Sequence, residues 1–333
     1  MKKKIIILLA VITAFCALTS CSSLPVLPIG GPTSGSTGDC TWTLDGKVLT
    51  ISGNGDMGMN TWFTTPPWGD DITKVIIEDG VTAIGGFSFY ECSSLKSISI
   101  PDSVTDIGQS AFWGCSSLKD IDINCVEYIA ESAFVSCSSL QSINIPACVD
   151  FIGEGVFSGC TSLESITVLS GNEKYYAKGN CLIEKSTDRL IAGCKTSVIP
   201  DSVIRIGSRS FAFCESLTSV TIPNSVTNIG ENAFNGCTGL TDITIPIGVS
   251  YISDGAFFQC ENLKTVYIHS PDAAKEIRKM TFNTTTDPEY YVETICVKSS
   301  IADVSDFIAG MPYKTENVMI DGVKYTVYSN TPD

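Results

Sequence analysis

Val104-Thr105-Asp106-Ile107-Gly108-Gln109-Ser110-Ala111-Phe112-Trp113-Gly114-Cys115-Ser116-Ser117-Leu118-Lys119-Asp120-Ile121-Asp122-Ile123 is one copy of a unit that recurs seven times between Phe89 and Ile268. In every copy a phenylalanine precedes a cysteine by three residues, the cysteine precedes a leucine by three, and alternating isoleucine or valine follows. The cysteines are Cys92, Cys115, Cys137, Cys160, Cys214, Cys237 and Cys260, spaced by 23, 22, 23, 54, 23 and 23 residues. A fixed period in this range marks a solenoid, in which each unit buries its apolar face only against its neighbours. Recurrence picks out the inward columns: Ile84 to Ile252, Phe89 to Phe257 and Leu95 to Leu263. After each leucine, period-two alternation such as Ile98-Ser99-Ile100 or Ile243-Thr244-Ile245 predicts a short strand with one buried face. Pro101, Pro146, Pro223 and Pro246 end such strands, because proline cannot donate to the next ladder position. Gly85, Gly108, Gly153, Gly207 and Gly230 predict a tight turn after the column isoleucine. The expectation is one parallel strand per coil, with loops or short helical turns opposite.

The unit resembles the BspA-like class of bacterial leucine-rich repeats, whose consensus runs Leu-x-x-Ile-x-Ile-Pro-x-Ser-Val-x-x-Ile-Gly-x-x-Ala-Phe-x-x-Cys. Leu95, Ile98, Ile100, Pro101, Ser103, Val104, Ile107, Gly108, Ala111, Phe112 and Cys115 satisfy it in turn, and the likeness covers residues 81–268. It departs from the commonest leucine-rich consensus, where Asn or Cys follows the strand by three residues; Ser103, Ser202 or Ser225 stands there. The resemblance implies a curved leucine-rich repeat solenoid, α/β or mostly β, and an adhesive role on a cell surface.

Residues 1–20 read as a signal peptide. Lys2–Lys4 form a basic start, and the apolar run from Ile5 to Leu18 is short for a bilayer span. Leu18-Thr19-Ser20-Cys21 matches the bacterial lipobox, so Cys21 is the expected lipidation site. The uncharged Ser, Gly, Pro and Thr-rich stretch within 21–39 reads as a flexible tether. The chain then divides into an N-terminal β cap (40–80), repeats (81–269) and a C-terminal cap of degenerate repeats (270–333). The expected location is the bacterial envelope, lipid-anchored in the outer membrane and exposed at the surface.

The chain carries 21 basic and 36 acidic residues; loss of Lys2, Lys3 and Lys4 leaves 18 basic and a net charge of −18. Such a surface repels phosphate backbones, which argues against nucleic acid as a partner. Acidity is also the ordinary way to keep an exported repeat protein soluble.

Fifteen cysteines in an exported chain would ordinarily read as a disulfide framework. Seven of them form the repeat column beside phenylalanine and leucine, where a thiol acts as a small buried hydrophobe. His269 is the only histidine, so a Cys/His zinc site is not expected, nor any metal or cofactor. Cys125 and Cys148 lie outside the column, at the serine phase of consecutive coils. Stacked strands place equivalent residues about 4.7–4.9 Å apart, and a disulfide needs a Cα separation of about 4.4–6.8 Å. A Cys125–Cys148 bridge is therefore an expectation, and Cys181–Cys194 is a second one.

Between Cys160 and Cys214 the spacing adds about 31 residues to one repeat. There Leu182-Ile183 and Leu190-Ile191 flank Glu184–Arg189, which predicts an inserted hairpin near 170–197 that projects from the stack. Thr41 to Ile51 alternates around Asp45-Gly46, a strong short hairpin signal. With Trp42, Trp62, Trp68 and Val75-Ile76-Ile77 it should cover the open end of the first coil. At the other end, Pro271–Met280 is helix-compatible, and Glu293–Val297 and Gly322–Tyr328 read as strands.

No catalytic constellation emerges: there is no His-Glu-x-x-His, Gly-x-Ser-x-Gly, phosphate-cradling loop or Rossmann fingerprint. Asp120, Asp122 and Asn124 have the even spacing of a strand face rather than a calcium loop. A non-enzymatic binding protein is the expectation. The outward strand positions, from Ser97/Ser99 to Thr265/Tyr267, form a small, polar face. Aromatics interrupt the polar surface at Tyr90, Trp113, Tyr128, Phe151, Tyr251, Phe258 and Tyr267, the candidate contact residues for a macromolecule. A host protein or matrix ligand is one expectation; a polysaccharide, as accessory to nutrient uptake, is the other.

Overall fold

The expected inward columns pack in register along the stack. A computed structural model describes residues 33–60, 65–276, 292–301 and 313–329, all within one compact unit spanning residues 32–333. Phe89, Phe112 and Phe134 are fully buried and stack ring on ring with centroids 5.2 and 5.3 Å apart. Phe211, Phe234 and Phe257 repeat this at 5.1 and 5.2 Å.

The post-leucine strands form the expected parallel ladder. Lys74–Ile77 pairs with Ser97–Ser99, Ser142–Ile145 with Ser165–Val168, and Asp242–Ile245 with Thr265–Ile268. Residues 119–123 and 218–222 follow the same path without strand structure. The structure adds a second ladder that the sequence did not announce. Two-residue strands at the column isoleucine, Asp106–Ile107, Tyr128–Ile129 and Phe151–Ile152, pair in parallel with one another. So do Arg205–Ile206, Asn228–Ile229 and Tyr251–Ile252.

The turn side is laddered as well. The N–H groups of Phe89 and Phe112 donate to Ala111 O and Ala133 O of the next coil, each at 2.8 Å. The cysteine column adds a rung to the coil before: Cys115 and Cys137 donate S–H to Phe89 O and Phe112 O at 3.2 Å. Cys160, Cys237 and Cys260 do the same to Phe134 O, Phe211 O and Phe234 O at 3.0–3.2 Å. These are weak bonds individually, but each gives a buried carbonyl a second donor.

The column glycines serve close approach rather than a turn. None of Gly85, Gly108, Gly153, Gly207 or Gly230 has positive φ. A Cβ on Gly153 would lie 2.3 Å from Glu131 N, and one on Gly108 2.5 Å from Gly86 N. Neighbouring backbones meet there, although Ala130 and Ser253 hold the same position in two other coils.

Both ends are covered. Ser34–Thr37, Cys40–Asp45 and Val48–Gly53 form an antiparallel meander whose last strand pairs in parallel with Lys74–Ile77. The strand Ser34–Thr37 corrects the expected tether, which ran to residue 39. Trp42 and Trp68 are buried edge-to-face at 5.9 Å, and Trp68 packs on Phe89 at 5.8 Å; Trp62 lies outside the described residues. At the other end, Pro271–Glu276 is helical and Thr294–Lys298 adds a parallel strand to Thr265–Ile268. The antiparallel strands Val323–Ser329 and Tyr313–Ile320 then close the sheet.

The insertion does not project, and this corrects the expected hairpin. Tyr175–Lys178, Cys181–Glu184 and Arg189–Ala192 form an antiparallel meander whose last strand pairs in parallel with Arg205–Ile206. Its side chains alternate between two cores, as strand side chains must. Leu182 and Ile191 pack with the preceding coils, Ile183 and Leu190 with the following ones.

Phe134→Ala should lower unfolding free energy by about 3–5 kcal/mol, because the stacked column cannot collapse onto the gap. Cys137→Ala should lower it by only about 0.5–1 kcal/mol, because Phe112 O keeps the N–H of Cys115 and loses one weak S–H donor. Denaturant titration with hydrogen exchange at Phe112 and Phe134 checks both.

Candidate functional site

The polar face of the long ladder is as flat as its sequence implies. Ser97, Ser99, Asp120, Asp122, Ser142, Asn144, Ser219, Thr221, Asp242 and Thr244 are all exposed. Asn124 donates to Asp122 at 2.8 Å. Among the described residues no group of His, Cys, Asp or Glu is arranged to hold a metal ion.

The candidate aromatics separate into two sets. Tyr128, Phe151 and Tyr251 stand on the short ladder at 43, 43 and 48% exposure. They alternate with the buried column isoleucines, so the pleat turns them outward. Tyr128 and Phe151 stack face to face at 4.7 Å and 11°. The other set is half-buried against neighbours. Tyr90 packs between Phe87 and Trp113 at 6.0 and 6.2 Å, and Tyr267 packs on Tyr325 at 5.7 Å. Phe258 is also half-buried. His269 bonds Tyr325 Oη through Nε2 at 2.7 Å, and burial followed by nearby Lys298 pushes its pKa down.

Where the insertion breaks the short ladder, a cleft of about 190 Å³ opens, lined by Asp150, Phe151, Glu173, Lys174, Tyr175 and Arg189 among others. Asn172 fixes its wall. The buried amide donates to Pro146 O and Val149 O, and its Oδ1 accepts from the N–H groups of Lys174 and Tyr175. Tyr175 Oη then accepts the N–H of Ile152 at 2.9 Å. Lys174 pairs with Asp150 at 3.3 Å, and Arg189 with both Glu154 and Glu184 at 3.5 Å. These ion pairs are largely solvated and weak individually; they hold the rim in place. The sequence carried one signal for this wall, the Asn172-x-x-Tyr175-Tyr176 run, but not the cleft.

All thirteen cysteines among the described residues are free thiols. Cys148 takes the serine's role in the column: its S–H reaches Val126 O at 3.3 Å, as Ser103 Oγ reaches Val81 O at 2.8 Å and Ser225 Oγ reaches Val203 O at 2.8 Å. Cys125 faces Asp102, whose hydrogen bond raises its pKa. Cys181 and Cys194 are buried, each near Asn180 or Gly179 carbonyls. Burial pushes the thiols of Cys92, Cys160, Cys214 and Cys260 up to about 12, and those of Cys115, Cys137 and Cys237 well above the usual value.

The repeat, its ladders and its caps define a bacterial leucine-rich repeat protein. The BspA type leucine rich repeat region matches residues 68–181 and 191–306 in six copies, so the chain belongs to that family. Among solved structures, a leucine-rich repeat protein from Eubacterium ventriosum is 26% identical over 72% of this chain and 73% of its own, with a TM-score of 0.57. The pneumococcal vaccine antigen PcpA, 16% identical, covers 79% of this chain and 90% of its own at a TM-score of 0.50, a likeness of fold alone. No curated protein matches the chain. Cys21 lies outside the described residues, and among those described no helix is long and apolar enough to cross a membrane.

Native alkylation of the reduced protein at neutral pH should label Cys148 first and leave the column thiols untouched, because they hold their protons and have no solvent path. The folded thiols of Cys160 and Cys260 ionise near 12 but, once unfolded, near 9.0. Their stabilising contribution is thus complete below pH 9 and lost as pH climbs toward 12. A melting temperature falling across that window, with less fall in a Cys160→Ala/Cys260→Ala variant, checks the sign.

Proposed function

We propose that this chain is a non-catalytic bacterial surface protein, tethered through Cys21, that binds a host or matrix protein. One observation carries the reading: Tyr128 and Phe151 stack exposed on the short ladder before the insertion, and Tyr251 is exposed on the ladder after it, on a solenoid whose long face is uniformly small and polar. Rigid aromatics with an apolar ring and few rotatable bonds are the side chains that concentrate binding energy. The lipobox at Cys21 supports an envelope location, and the acidic net charge supports a partner other than nucleic acid. On export, the serine-phase pair Cys125 and Cys148 closes as a staple between adjacent coils, and Cys181 with Cys194 within the insertion. A second reading, polysaccharide capture for nutrient uptake, is favoured by the cleft at the ladder break.

Pull-down with the purified protein against a panel of matrix proteins tests the first reading. The Tyr128→Ala/Phe151→Ala/Tyr251→Ala variant should lose at least about tenfold in affinity, since buried aromatic anchors contribute about 2 kcal/mol or more each. Equal retention of every panel protein by the variant would exclude these residues. Cys21→Ala should abolish fatty-acid labelling in cells. Peptide mapping without reductant should find Cys125 linked to Cys148.

A further inference from the structure

We propose that the cleft beside Phe151 is a subsite for one neutral sugar ring at the end of a glycan chain. This rests on, and deepens, the polysaccharide reading. Phe151 stacks on Tyr128 through one ring face only. It sits on the outermost strand of its ladder, and no aromatic follows it there. Its other face therefore lines the cleft. An aromatic face with its negative quadrupole attracts the polarised C–H bonds on the flat side of a pyranose ring.

The strand edge supplies the matching polar groups. In the coils before the break, Glu127 O accepts from Asp150 and Phe151, and Ile129 O accepts from Gly153. The next carbonyls in that series are Asp150 O and Ile152 O, on the side where the following coil would lie. No donor reaches either one among the described residues. The neighbouring N–H of Ile152 is capped by Tyr175 Oη. What remains is a pair of acceptors seeking donors next to an aromatic face, and a sugar hydroxyl is such a donor. Glu173, exposed on the same wall, adds a carboxylate that no cation pairs among the described residues. Lys174 and Arg189 are already neutralised by Asp150 and by Glu154 and Glu184.

Other ligand chemistries fit less well. An anion would meet the edge carbonyls and Glu173 without a free cation to receive it. An added peptide strand would find only two residues of edge, one of whose bonds is already made by Tyr175, too little for strand addition. The volume of about 190 Å³ is below the range of roughly 300–1,000 Å³ for pockets that enclose larger ligands. It suits a single ring with the rest of a chain outside.

Saturation-transfer NMR of the purified full chain with methyl glucoside, galactoside, mannoside and N-acetylglucosaminide tests the assignment, beside a polysaccharide array. Transfer to at least one pyranoside is expected, with Kd raised at least tenfold by Phe151→Ala and by Glu173→Gln and unchanged by the remote Met319→Ala. Glu173 is exposed, so its variant decides the matter if Phe151→Ala also lowers the melting temperature. Polysaccharide binding that survives both variants would overturn the cleft assignment and leave the polysaccharide reading standing. No transfer to any pyranoside together with a silent array would overturn both.

Discussion

A coil of about 23 residues cannot bury its own phenylalanine, leucine and isoleucine, and the whole structure follows from that shortage. Each coil lends one side of its apolar columns to the coil before and the other to the coil after. Three sets of backbone bonds lock this arrangement: the long ladder, the short ladder and the Phe N–H to alanine carbonyl contacts on the turn side. The cysteine S–H rungs belong to the same scheme, since each reaches back to the phenylalanine carbonyl of the preceding coil. Stability is therefore a matter of neighbours, and a defect in one coil is felt chiefly in the two beside it.

The same constraint explains the ends and the interruption. An end coil has one unpaired face, and here both faces receive antiparallel strands in place of another repeat. The insertion solves the problem internally. Its strands are apolar on both sides because each side must serve a different core, Leu182 and Ile191 one way, Ile183 and Leu190 the other. The substitution is incomplete at Phe151–Ile152, where the meander reaches the edge only through the Tyr175 hydroxyl. An interior strand edge is thereby left open, next to an exposed aromatic ring.

The thiols show how far composition can mislead. A cysteine-rich exported chain suggests cross-links, yet the column thiols occupy apolar, solvent-free positions where burial holds them protonated. They contribute through packing and weak hydrogen bonds, not through redox chemistry. Only the serine-phase pair Cys125 and Cys148 lies outside this sheltered column at adjacent coils, with Cys148 exposed.

The inward columns, the post-leucine strands, the Asp45-Gly46 hairpin and the solenoid itself were legible because each rests on local periodicity: a side chain's place in a repeat fixes its direction. The short ladder, which turns Tyr128, Phe151 and Tyr251 outward, is not legible locally, since two residues are too few to show alternation. The glycine column implies a turn in sequence, but the crowding that selects it comes from the neighbouring coil's backbone, 2.3 Å from where a Cβ would sit on Gly153. The insertion's place is hidden for a related reason. A Leu-Ile pair looks the same in a projecting hairpin and in a wall between two cores. The sequence by itself determined the repeat, its buried columns and the family to which it belongs. Only the tertiary structure decided where the ladder breaks, which strand edge stays open and which aromatics remain exposed, because these depend on contacts between residues that no local pattern connects.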